Sequence, residues 1–227
     1  MDKEIAKAQK ILKSFTKDGV DLGSTTPSPN SDASKKSKSR AKIPAEVIQQ
    51  AKGIAIFTTV RAGMWVSGSA GSGVVMARLP DGSNSWSPPS AFSAYTVGAG
   101  VILGADHTES VCVLNTDEAV RAFAQERFGF GAGLSVTAGP VGAGTASLHG
   151  ARDPVWIYSK SRGIFLGAQV DGTRFNARDD INEGFYGEEG ITPERILRGR
   201  SRRSWRGRHK GFLGALDKTR LCIGRLC

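Results

Sequence analysis

Residues Gly68 to Gly73 read GSAGSG and lie between MWVS (64–67) and VVMARLPDG (74–82). Such a stretch beside an apolar run is either a phosphate cradle or a place where a strand needs backbone without side chains. A phosphate cradle of the G-x-x-x-x-G-K-[ST] type requires a lysine for the phosphates and a hydroxyl for magnesium. Val74 and Val75 stand in those two positions. The G-x-G-x-x-G dinucleotide pattern fails as well, because Gly98/Gly100, Gly131/Gly133 and Gly142/Gly144 are followed three residues later by Leu103, Val136 and Ser147. The glycines therefore read as marks of bulges, tight bends and close backbone approach in curved strands.

Working outward, short apolar and β-branched runs recur at 54–60 (IAIFTTV), 74–79 (VVMARL), 96–105, 110–115 (SVCVLN), 131–138, 155–159 (VWIYS) and 164–170. Turn signals at Pro80-Asp81-Gly82, Gly139-Pro140 and Asp171-Gly172 separate several of them. Helices are expected across AEVIQQAK, with Pro44 at its start and Gly53 as its stop, through DEAVRAFAQ behind Thr116, and at ERILRG behind Thr192-Pro193. No repeating βαβ pattern appears, which argues against a doubly wound sheet. The expected class is α+β: a strongly curved antiparallel β-sheet, a sandwich or partly closed barrel, flanked by a few helices.

Four segments follow along the chain. Residues 1–17 carry an amphipathic helix, with Ile5, Ala8, Ile11, Leu12 and Phe15 on one side and Lys3, Lys7, Lys10, Lys13 and Lys17 on the other. Residues 18–42 are rich in Ser, Thr, Pro and Lys and read as a disordered linker. Residues 43–199 form the folded body. Residues 200–227 are a basic tail.

The net charge of +10 belongs to the end of the chain. Residues 195–227 hold 11 Lys/Arg against the single acid Asp217; removing them from the 31 basic and 21 acidic residues leaves 20 of each. A basic tail attracts polyanions of any kind. RGRSRRSWRGRHK interleaves Trp205 with arginines, a composition able to stack on bases. No nucleic-acid-binding fold accompanies it, so no specific nucleic-acid partner is expected.

Chemistry-bearing constellations are missing. No serine lies in G-x-S-x-G. His107 and His149 read as surface residues, Cys112 within VCVL as a small buried side chain, and the pairs Asp179-Asp180 and Glu188-Glu189 as solvated surface. Cys112, Cys222 and Cys227 fit neither a disulfide framework nor a tetrahedral zinc site. The expectation is a cytoplasmic, non-enzymatic protein with no cofactor and no metal.

The blocks IPAEVIQQAKGIAIFTTVRAG, GSAGSGVVMARLPDGSNSWSPPSAF, VCVLNTDEAVRAFA, LSVTAGPVG and YSKSRGIFLGAQVDG resemble, in order, successive blocks of the SYLF-domain family. That family includes yeast-type actin-binding proteins of cortical patches and vertebrate relatives carrying a Src-homology-3 domain. The likeness runs from Ile43 to about Gly199, and EIAKAQKILKSF resembles the family's N-terminal helix. What the resemblance implies is a phosphoinositide-binding, membrane-associating module that acts in cortical actin organisation and endocytosis. Its expected place is peripheral, at the plasma membrane or cortical actin patches. Membrane attachment in the family is associated with this basic helix, and Lys7 and Lys10 fall on matching positions. With Lys3, Lys13 and Lys17 opposite Ile5, Leu12 and Phe15, the helix suits a membrane interface, the alternative being a helix packed on the body with its lysines in water. Arg61, Arg78, Lys160 and Arg162 match further basic positions in family blocks. Filamentous actin, whose surface is acidic, is the alternative partner.

Overall fold

The computed structural model describes residues 1–18, 20–21, 40–83, 85–124, 129–130, 141–146 and 155–200. In chain order the elements are α1 (Asp2–Lys13), a π-helical turn (Ser14–Asp18), β1 (Val20–Asp21), β2 (Arg40–Ala41), α2 (Ala45–Gln50), β3 (Gly53–Ala77) and β4 (Ser90–Leu114). They continue with α3 (Asp117–Ala124), β5 (Gly129–Phe130), β6 (Val141–Ala146), β7 (Val155–Ala177), α4 (Asp179–Tyr186) and α5 (Pro193–Leu197). The linker is described only at its two ends, where β1 and β2 pair antiparallel. The expected strand at 131–138, His149 and residues 201–227 of the tail lie outside the described residues.

The fold is α+β, as the alternating runs indicate, with an antiparallel sheet that is not closed. Its order is β3-β4-β7-β5, and β6 also pairs with β7. Three strands are much longer than their sequence runs suggest. The runs at 54–60 and 74–79 join into the 25 residues of β3, and GSAGSG lies inside that strand. Those at 96–105 and 110–115 join into β4, and those at 155–159 and 164–170 into β7.

A straight strand of this length would reach roughly 80 Å at about 3.3 Å per residue. β3 instead folds back on itself near Trp65. Arg78 N–H donates to the Lys52 carbonyl at 2.7 Å, joining the strand's two ends. A Cβ at Gly71 would overlap the Thr58 carbonyl oxygen, and one at Gly73 would overlap that of Ile56. These two glycines give the arms of β3 room to meet. Gly68 has open space around its would-be Cβ and no such duty. At the bend the register with β4 shifts from Met64↔Leu103 to Val66↔Ala99, so Trp65 alone faces three residues of β4. Trp65 has φ 67, in the left-handed region. β4 and β7 follow the bend together, paired without a shift from Phe92↔Ala177 to Leu114↔Val155.

Folding the sheet encloses one core and leaves another on its outer side. Inside, Phe57, Phe92 and Phe175 come from different strands and stack edge to face at 5.4–5.8 Å between centroids, with Phe123 of α3 closing the group. Outside, α1 lays Ile5, Ala8, Ile11, Leu12 and Phe15 against Ile54, Ile56, Val74, Met76, Val111 and Val113. Ser14 and Thr16 hydroxyls donate to the Ile11 and Leu12 carbonyls at 2.8 and 2.9 Å in the π-helical turn, back-bonding that bends helices. Ile43 N–H then bonds the Phe15 carbonyl at 3.0 Å.

The caps named from sequence form: Ala119 N–H donates to Thr116 Oγ1 at 3.1 Å, and Arg195 N–H to Thr192 Oγ1 at 3.4 Å. α2 stops at Gln50, earlier than expected, and Gly53 opens β3 instead, where a Cβ would crowd Val120. Glu188 departs from its solvated reading: its side chain is 9% exposed and ion-paired with Arg195.

Candidate functional site

The N-terminal helix positions the first set of candidate residues. Its spacing of apolar residues seats one face on the sheet, so the opposite face must look outward. Lys3, Lys7, Lys10 and Lys13 are all exposed on it. Lys10 and Lys13 stand in the last turn, where the helix dipole favours cations. Lys17 lies in the π-helical turn, and its side chain is outside the described residues. Ile5, Leu12 and Phe15 pack on the body, the alternative to a bilayer-facing apolar side. They are no more than 3% exposed, packed in the outer core. In this arrangement a surface meeting α1 meets lysines.

The four further basic residues do not converge. Arg78 stacks on Trp86 at 3.9 Å from the ring centroid and donates to the Ile48 carbonyl at 3.3 Å, at the base of β3. Arg61 points into the fold, where its Nε lies 3.5 Å from Asp106 Oδ1. Asp106 Oδ2 accepts the Thr108 and Ser161 hydroxyls at 3.0 and 2.7 Å, and Ser110 bonds Ser159 at 2.9 Å alongside. This polar ladder links three strands through Asp106 Oδ2 and the hydroxyls, while buried Asp106 Oδ1 has the Arg61 ion pair and no hydrogen bond among the described residues. Lys160 and Arg162 share the opposite face of β7, in register with Glu109 and His107 of β4. Arg162 is exposed and Lys160 half-buried.

The structure also shows a set that the sequence reading missed. Val60, Met64, Trp65, Val66, Tyr95, Val97 and Leu103 are large apolar residues, 50–69% exposed, and all lie toward the bend. Six of them share a face. Ile54, Ile56, Val74 and Met76 pack under α1, and Val60, Met64 and Val66 continue the same even-numbered series of β3. Leu103 pairs with Met64, Val97 with Gly68 and Tyr95 with Ala70, which places them on that face too. In sequence these residues resemble ordinary strand core. Among the described residues α1 packs on the base of that face, at Ile54, Ile56, Val74 and Met76, and these residues further along it stay exposed.

Burial pushes the Cys112 thiol up to about 12, so it stays protonated and inert. Among the described residues no group of His, Cys, Asp and Glu could hold a metal ion. Among them, too, no helix is long and apolar enough to cross a membrane.

Comparison with known proteins agrees with the blocks quoted above. The family described as "Ysc84: Las17-binding protein actin regulator" matches residues 95–219, which carries the likeness into the tail beyond Gly199. Protein YSC84 of Saccharomyces cerevisiae is 40% identical over 204 residues, covering 87% of this chain and 39% of that protein. LAS seventeen-binding protein 3 of the same organism is 40% identical over 206 residues, covering 88% of this chain and 40% of its own length. Human SH3 domain-containing YSC84-like protein 1 is 37% identical over 187 residues, covering 81% of this chain and 49% of its own. This chain thus spans about two fifths to one half of those relatives. No solved structure matches. A family match over more than half of the chain, with ordered likeness to yeast and vertebrate proteins, makes this chain a member of the Ysc84 (SYLF-domain) family.

Proposed function

We propose that this protein is a non-enzymatic module that attaches to phosphoinositide-bearing membrane through the lysine face of α1 and serves cortical actin organisation and endocytosis. The observation that carries the reading is the docking of α1. With Ile5, Leu12 and Phe15 buried, the helix is seated on the sheet and displays Lys3, Lys7, Lys10 and Lys13 to solvent. Each lysine near an anionic leaflet contributes about 1 kcal/mol, an attraction that fades within a Debye length. A row of four on a fixed helix needs no deep pocket. The family's description as an actin regulator supports the cortical setting at the cytoplasmic side of the plasma membrane.

Flotation with neutral and phosphoinositide-bearing vesicles tests this. Binding should require the phosphoinositide, weaken with salt and be lost on Lys7→Glu with Lys10→Glu. Unchanged binding by that double variant would show that α1 is not the contact.

The family description also favours a second reading, in which the same lysine face binds acidic actin filaments without lipid. Sedimentation with filaments in lipid-free buffer separates the two. A protein left wholly in the supernatant rejects the filament reading.

A further inference from the structure

We infer that the bend end of the sheet is a second membrane contact, an apolar wedge that enters the headgroup–acyl boundary beside the lysine face. The inference extends the membrane reading above, and it rests on different residues.

Exposed apolar residues scattered singly are ordinary, whereas a contiguous exposed patch marks an interaction site. Here Val60, Met64, Val66, Tyr95, Val97 and Leu103 occupy one face at the bend, with Trp65 at the turn itself. The backbone at Trp65 adds an independent sign. Its φ of 67 is a conformation that glycine adopts freely and a bulky residue adopts at a cost of about 1–3 kcal/mol. A tryptophan kept in a strained turn, with its ring in solvent, points to a use for that ring. Tryptophan and tyrosine favour membrane interfaces, where an apolar body meets a wet edge.

The surrounding charge selects lipid as the occupant. Arg162 is exposed on the row of Val60 and His107, and Arg174 is exposed on the row of Tyr95. Lys160 lies one step back beside Glu109. The apolar patch therefore has arginines at its flanks. It also lies on the side of β3 that carries α1, whose lysines face away from the sheet. One side of the molecule presents lysines, arginines and an apolar end together, complementary to an anionic leaflet with an apolar interior.

The test uses the full chain on phosphatidylcholine vesicles with and without a phosphoinositide, with plain or brominated acyl chains. Brominated lipid should quench tryptophan emission more strongly in the wild type than in Trp65→Phe, and that difference isolates Trp65 from Trp86, Trp156 and Trp205, which both proteins share. In flotation, Met64→Ser with Leu103→Ser should weaken partitioning by about tenfold, a loss that persists in high salt where the lysine contribution is screened. The Trp65→Phe exchange changes an exposed side chain, so the quenching comparison does not depend on the folding of the serine variant. Bound protein with no quenching difference between wild type and Trp65→Phe overturns the wedge while leaving the lysine reading intact. Loss of flotation in the serine variant but not in the Lys7→Glu, Lys10→Glu variant supports the wedge and rejects the lysine face. Unchanged flotation of the serine variant, with a shift from dimer to monomer on gel filtration, would assign the patch to a second copy of the chain and overturn the lipid assignment.

Discussion

Asn182 clasps the backbone of Ala91: its Oδ1 accepts the Ala91 N–H at 2.8 Å and its Nδ2 donates to the Ala91 carbonyl at 3.3 Å. The side chain is fully buried, and Arg178 N–H adds a second bond to the same carbonyl at 2.9 Å. One amide thereby ties α4 to the start of β4. Asn182→Ala should destabilise the fold by about 1–3 kcal/mol, because a buried N–H loses its acceptor. Urea unfolding checks this, and an unchanged midpoint would mean that water or a neighbour takes over the bond.

The glycines of GSAGSG differ in duty, which makes them a matched set. Gly71→Ala and Gly73→Ala drive a methyl into the opposite arm of β3 and should each cost about 1–3 kcal/mol. Gly68→Ala meets nothing within 4 Å and should stay within about 0.5 kcal/mol of the wild type. Thermal melts of the three variants suffice, and equal effects at all three positions would contradict the folded-back strand.

Leu12 distinguishes a core helix from a helix that leaves the body for the bilayer. Its side chain is wholly buried under α1, so Leu12→Ala should lower stability in lipid-free buffer by about 2–5 kcal/mol. A helix free of the body would show no such loss. Denaturant titration of this variant beside Lys7→Glu, which is exposed and should be nearly neutral, decides the matter.

Alkaline stability follows from two buried groups, Cys112 and Tyr186, and half-buried Tyr158. Burial raises the Cys112 thiol from 9.0 to about 12, and it raises the Tyr158 and Tyr186 phenols as well. Each group keeps its proton longer in the folded state than in the unfolded chain. Their contribution is therefore complete below the unfolded values and is lost as pH climbs toward the folded ones. The melting temperature should fall from about pH 9 upward, with Cys112 contributing at most about 1.4 kcal/mol per pH unit. Cys112→Ala should flatten the first part of that decline; an identical pH profile would remove the thiol from the account.

Much of the architecture is local in origin and was legible in the chain. The 3.6-residue spacing of Ile5, Ala8, Leu12 and Phe15 marks a helix whatever it packs on, and Thr116 and Thr192 announce helix starts because a cap acts within three residues. The missing lysine after Gly73 excludes a phosphate cradle without any coordinates. α4 escaped notice because DDINEGFY is polar and contains Gly184, and its anchoring rests on one buried amide and the Tyr186 hydroxyl bonded to the Pro89 carbonyl at 2.6 Å.

Other features depend on residues distant in sequence. Whether two apolar runs are separate strands or the arms of one bent strand turns on pairing with a third segment, and β4 supplies it to both arms of β3. An amphipathic stripe states that it needs an apolar partner without stating which one; the sheet took the stripe of α1 and left its lysines to solvent. The same alternation that reads as core at Val60, Met64 and Val66 is exposed there, while α1 packs on Ile54, Ile56, Val74 and Met76 of the same series. Periodicity is a property of the chain, whereas coverage is a property of what the fold lays on top of it.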